Sequence, residues 1–137
     1  MGSVMAEITL INGADIVLAR NGHITEQNIR SINVTALVDT GATTLVIGED
    51  MRKKLGLAVV GTRTVTLAGG SKAYCNVAEP VQICWKDRTS LTSPWVMPGE
   101  EDVLLGVIPL EEMDLIVDPV GQKLVGAHGD EMMGIIK

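Results

Sequence analysis

Between Ser31 and Val38 the chain alternates apolar and polar residues, and the alternation runs straight into Asp39-Thr40-Gly41. Ile32, Val34, Ala36 and Val38 fall on one face, Ser31, Asn33 and Thr35 on the other, and only Leu37 breaks the pattern. A period of two is the mark of a half-buried strand. An Asp at the end of such a strand, on a turn that needs Gly, is how a chain holds a carboxylate rigidly in a partly dry site. Thr40 adds a hydroxyl beside it, and Gly41 lets backbone pass close without a Cβ. The triplet occurs once: none of Asp15, Asp50, Asp87, Asp102, Asp114, Asp118 and Asp130 is followed by Thr-Gly.

The rest of the chain reads as short strands with a little helix. Ile8–Ile11 is a first strand, and Asn12-Gly13 and Asn21-Gly22 punctuate the next stretch, where a short helix around Ala14–Arg20 is the reading. Thr44–Ile47 leaves the Asp39 turn as another strand. Gly48–Leu55 reads as a short helix, with Glu49 and Asp50 first, Arg52, Lys53 and Lys54 last and Gly56 as its stop, an order that suits the helix dipole and C-cap. Arg63–Leu67 and Lys72–Val77 flank Ala68-Gly69-Gly70-Ser71 and form a hairpin with a mobile tip. Val81–Trp85 is a strand, followed by a polar loop over Lys86–Ser90. Val103-Leu104-Leu105-Gly106 is a second apolar run ending in Gly, after which Pro109, Glu111 and Glu112 open a short helix. Ile116–Pro119 and Lys123–Val125 close the chain as strand, turn and strand. The fold class is all-β, a closed or nearly closed barrel with one or two short helices. The Gly-bounded runs at Asp39 and Gly106 hint at an internal two-fold of strand, tight turn and helix.

A chain of 137 residues makes one domain, 1–137, with a sizeable core. With no Phe and only Tyr74, Trp85 and Trp95 as aromatics, that core is built from Val, Ile, Leu, Met and Ala. Net charge is −6 with no basic block, which argues against nucleic acid as a partner. No apolar run approaches the ~18 residues that would span a membrane. The N-terminus lacks the basic and apolar regions of a signal peptide, so the expected location is cytoplasmic. Met1-Gly2 suggests myristoylation, but Ala6 stands where Ser or Thr is required. Cys75 and Cys84 are expected as inert thiols in strands, and two Cys with two distant His (His23, His128) have no zinc-ligand spacing. Asn33-Val34-Thr35 matches a glycosylation acceptor but lies inside a strand. His128-Gly129-Asp130-Glu131 reads as a solvated tail without a partner.

An Asp-Thr-Gly alone arises by chance in roughly one chain of this length in thirty. Joined with Leu37-Val38 before it, Ala42 after it, the Gly-Gly hairpin and Leu104-Leu105-Gly106 before a helix, it resembles the retropepsin-like aspartic proteases. The resemblance covers about residues 29–125 and is strongest at Leu37–Ala42. It implies peptide hydrolysis by two carboxylates that share one proton around a water. Like charges at ~3 Å cannot both ionise, so the pair titrates as a unit. With one triplet per chain, the resemblance implies a C2 homodimer with an Asp39/Asp39′ dyad on the axis. No metal and no organic cofactor is needed.

Roles follow from the same resemblance. Asp39 would be the catalytic carboxylate, Thr40 would brace the two turns across the axis, and Gly41 and Ala42 would present backbone to the substrate. Ala68, Gly69, Gly70 and Ser71 would form a flap over an extended peptide or protein substrate. Leu104, Leu105 and Gly106 would support the Asp39 turn from beneath. Retroviral members often carry Asp and Arg where this chain has Thr43 and Val107, so their stiffening ion pair is absent. Ala42 lacks the hydroxyl that pepsin-like enzymes place beside the dyad, and the expected pH optimum is therefore mildly acidic to near-neutral. The alternative reading is a non-catalytic dimerisation or peptide-binding domain on the same scaffold.

Overall fold

The computed structural model describes residues 3–136, so the Met1-Gly2 acylation signal lies outside the described residues. Eleven strands and three short helices follow one another among the described residues. Strand β1 (Met5–Asn12) leads into α1 (Gly13–Arg20), a 3₁₀ turn (Glu26–Asn28) and β2 (Ser31–Val38). After the Asp39 loop come β3 (Val46–Ile47), α2 (Glu49–Leu55) and the hairpin β4 (Val59–Thr66) and β5 (Lys72–Ala78). A second hairpin, β6 (Val81–Trp85) and β7 (Arg88–Thr92), precedes β8 (Trp95–Val96), β9 (Leu104–Leu105) and α3 (Val107–Glu112). The last hairpin, β10 (Leu115–Asp118) and β11 (Lys123–Gly126), forms a small sheet of its own.

The other nine strands make one sheet in the order β4-β5-β8-β3-β9-β2-β1-β6-β7, curled into a half-barrel. This is the all-β acid-protease fold. Its core is aliphatic throughout: Leu10, Leu45, Ile47, Leu55, Leu57, Ile83, Leu105 and Met113 are sealed from solvent. Tyr74 is 78% exposed and Trp85 and Trp95 are half-buried, so no aromatic side chain is fully enclosed. No helix among the described residues is long and apolar enough to cross a membrane.

Three expectations are corrected. The polar loop over Lys86–Ser90 is a two-residue turn at Lys86-Asp87, and the rest belongs to β7. That strand was hidden because its alternation is inverted: Arg88, Ser90 and Thr92 face inward and Leu91 faces solvent. The inward polar groups are satisfied, Ser90 and Thr92 by each other at 2.9 Å and Arg88 by the Met113, Asp114 and Gly129 carbonyls. The second correction is His128, which has a partner after all. Its Nδ1 lies 2.7 Å from an Asp114 carboxylate oxygen that also accepts the Met133 N–H at 3.0 Å, pinning the exposed tail. Helix α3 also begins at Val107, two residues before Pro109.

The segment before the Asp39 strand is tied in by a polar hub. Buried Asn12 caps α1 by accepting the Asp15 N–H at 3.0 Å, and its side-chain amide donates to the Leu55 carbonyl at 2.8 Å. Arg30 donates to both Asp15 oxygens, at 2.8 and 2.9 Å, and its own backbone N–H adds a third bond at 3.0 Å. These bonds hold the Asp15 carboxyl below the usual carboxylate range. One buried Asn and one buried Asp thereby join β1, α1, the start of β2 and the end of α2.

Candidate active site

The Asp39 turn is fixed from several directions. Leu37 and Val38 pair in parallel with Leu104 and Leu105. The Asp39 N–H donates to the Leu105 carbonyl at 3.0 Å, and the Ala42 N–H closes the turn onto the Asp39 carbonyl at 3.1 Å. One carboxylate oxygen of Asp39 accepts the Gly41 N–H at 2.9 Å, which orients the side chain. The first N–H groups of α3 reach back: Val107 donates to the Ala42 carbonyl and Ile108 to the Thr43 carbonyl, both at 2.9 Å. Backbone bonds thus hold this loop to α3 where an Asp–Arg pair is absent. Asp39 is half-buried, while Thr40 and Gly41 are exposed.

Gly106 is required by this packing. A Cβ there would stand 2.3 Å from the Thr44 carbonyl oxygen and 2.5 Å from that of Ala42, distances no side chain tolerates. Leu105 is fully buried and Leu104 bridges β2 and β3, pairing with Leu37 and Val46. The apolar-Gly run therefore lies directly under the Asp39 loop. The tip Ala68–Ser71 is exposed at the end of the β4–β5 hairpin, closed by Leu67–Ser71 and Gly70–Leu67 backbone bonds of 2.8 Å. Nothing lies within 4 Å of where a Cβ of Gly69 or Gly70 would be, so the tip stands in open space.

The internal two-fold is sharper than the sequence suggested. Strands β8 and β9 with α3 repeat β2, β3 and α2. Trp95 and Val96 pair in parallel with Val46 and Ile47 as Leu37 and Val38 pair with Leu104 and Leu105. The Met97 N–H donates to the Ile47 carbonyl at 3.0 Å, as that of Asp39 does to Leu105, and the Glu100 N–H closes onto the Met97 carbonyl at 3.2 Å. Met97-Pro98-Gly99 thus stands where the first half has Asp39-Thr40-Gly41. One half of the chain carries the carboxylate and the other carries a thioether.

Beside the Asp39 loop is a cleft of about 300 Å³, lined by Thr43, Thr44, Arg63, Val77, Trp95 and Ile108 among others. Its residues were not singled out from the sequence, although a lone Arg in the middle of the hairpin strand was a visible signal. Cys75 and Cys84 are free thiols, and burial raises the pKa of both, so they are not poised as nucleophiles. No group of three or more His, Cys, Asp or Glu among the described residues is arranged to hold a metal ion.

A curled β half-barrel with an Asp-Thr-Gly loop pinned at its midline defines the acid-protease class. The family model described as Aspartyl protease matches residues 25–107, more than half of the chain, and the protein belongs to that family. No protein of curated function matches it.

Proposed function

We propose that this protein is an aspartic endopeptidase that works as a homodimer, with Asp39 of each copy forming one dyad. The observation that carries the reading is the occupancy of the two halves: Asp39 in the first, Met97 at the matching place in the second. A single chain supplies one carboxylate where the chemistry takes two, and a C2 axis through the exposed Thr40-Gly41 face would supply the other.

In the reaction, one carboxylate takes a proton from the bound water as the water oxygen attacks the scissile carbonyl carbon. The other, protonated, hands its proton to the carbonyl oxygen, giving a tetrahedral diol. Collapse of the diol breaks the C–N bond: the proton gained from water passes to the leaving amine, while one diol hydroxyl becomes the new carbonyl and returns its proton to the second carboxylate, which restores the one-proton dyad. Thr40 and Gly41 hold the two turns against each other, and Gly41 and Ala42 offer backbone groups to the peptide. The hairpin tip Ala68–Ser71 closes over a substrate bound in extended form. Leu104, Leu105 and Gly106 support the carboxylate from beneath as charge shifts, Leu105 by accepting the Asp39 N–H and Gly106 by letting the Ala42 and Thr44 carbonyls pack against it.

Cleavage of a randomised peptide library, read by mass spectrometry, tests the reading with Asp39→Asn as the control. Cuts made by the wild type and lost in the variant support it. Absence of cuts at concentrations where sedimentation shows a dimer overturns it in favour of a non-catalytic peptide-binding domain.

A further inference from the structure

The cleft beside the Asp39 loop has a chemistry of its own. Strand β5 lies between β4 and β8, pairing Cys75 with Arg63 on one side and Val77 with Trp95 on the other. Arg63 reaches across it, and its guanidinium carbon stands 4.9 Å from the centre of the Trp95 ring. Stacking occupies one face of the guanidinium and leaves its in-plane N–H groups free for a carboxylate fork. None of the residues lining this cleft is acidic, and Arg63 is in none of the salt bridges among the described residues. A held, unneutralised cation is out of character for a chain of net charge −6. By contrast, the cleft under α2 is lined by Asp50, Glu100 and Glu101 with Lys54.

The cleft also lies within reach of the reacting bond. Thr43 lines it and follows Asp39 by four residues, a separation that spans at most about 14 Å. An extended peptide advances about 3.3 Å per residue, so a side chain two to four positions from the scissile bond reaches the same distance. We infer that Arg63, braced on Trp95, selects substrates with an acidic side chain two to four residues from the cut. This rests on the proteolytic reading above. In a symmetric dimer the cleft occurs twice, once on each side of the bond, so the preference extends to both flanks.

Two measurements test it. In the library experiment, wild type should enrich Asp and Glu at those positions about 3–10-fold, the range of one partly exposed charge-assisted pair. Arg63→Lys should keep part of the enrichment, and Arg63→Glu should turn it toward Lys and Arg. In the second, the Asp39→Asn protein is titrated with a fluorescein-labelled decapeptide carrying alternating Glu, and with its Gln counterpart. The Glu peptide should bind more tightly, with the difference shrinking at high salt and reversing sign in an Arg63→Glu background. Asp39-dependent cuts with no acidic enrichment, or with enrichment that survives Arg63→Glu, overturn the inference and leave the protease reading standing. Acidic preference in binding without any cleavage overturns the protease reading and keeps Arg63 as the selector. Equal binding of both peptides together with no cleavage overturns both.

Discussion

Leu45–Gly48 passing into α2 and Val103–Gly106 passing into α3 are two uses of one device. Each is a buried strand that stops at a glycine pressed onto the carbonyl of a neighbouring loop. At Gly48 that carbonyl belongs to Glu100, and a Cβ would meet it at 2.0 Å; at Gly106 it belongs to Ala42 and Thr44, at 2.5 and 2.3 Å. The mechanics match, yet the loops differ: one is Asp39-Thr40-Gly41-Ala42, the other Met97-Pro98-Gly99-Glu100. Symmetric packing can therefore be kept while the Asp-Thr-Gly triplet stands in one half alone. The helices diverge in the same way. α2 starts on Glu49-Asp50 and turns Asp50, Lys53 and Lys54 to solvent, whereas α3 starts on Val107-Ile108 and spends its first N–H groups on the Asp39 loop.

The strongest way to break the comparison is to remove the one feature the halves do not share. Asp39→Asn should lower peptide turnover by about 10²–10⁴-fold while leaving the unfolding midpoint in place. Met97→Ala, at the matching position, should cost about 1–2 kcal/mol of stability in denaturant titration and leave peptide turnover unchanged. Loss of turnover in both variants at equal stability would show that the halves do not divide the work. Next come the glycines. Gly48→Ala and Gly106→Ala should each destabilise by about 1–3 kcal/mol or more, since backbone must move to admit the methyl group. Per kcal/mol lost, Gly106→Ala should depress turnover more, because only its loop carries Asp39.

The pH dependence separates the site from the scaffold. The expected activity maximum is mildly acidic to near-neutral, and a rate profile peaking below about pH 3 would contradict it. The scaffold has its own acid limit at Asp15, whose carboxyl is held low chiefly by its hydrogen bonds to Arg30. A lowered folded-state value gives stability that is complete above the ordinary aspartate range near pH 4 and fades as pH falls through the lowered one. Asp15→Asn should therefore cost about 1–3 kcal/mol near neutrality and lose less on acidification than wild type. The smallest effect is expected at His128→Ala. It removes one of the two bonds that hold the tail to Asp114, and faster amide exchange at Met133 with no change in turnover is the outcome to look for.

Sequence pattern revealed those elements whose inside and outside differ in polarity. β2 follows its alternation as far as Ala36, and α2 follows its charge order and its glycine stop, with Gly56 in the left-handed conformation. β7 was read as loop because its buried face is the polar one. β8, two residues long between Pro94 and Pro98, has no period to detect. Of the candidate site, Asp39 and the Leu104-Leu105-Gly106 run were visible as local motifs. The α3 amides that clamp the loop were not, because backbone donors leave no mark in a sequence. The match of Met97 to Asp39 was equally hidden, since it is a likeness of hydrogen bonds between residues that do not look alike.

The Asp39 loop hangs on residues made much later. Its amide is held by Leu105 and its carbonyls by Val107 and Ile108, all beyond both hairpins of the large sheet. During synthesis, the triplet leaves the ribosome long before anything exists to shape it, and contacts so distant in sequence form slowly. A growing or truncated chain ending before Val107 carries the Asp-Thr-Gly letters without the geometry. The fold itself thus delays the appearance of a finished carboxylate until most of the chain has been made.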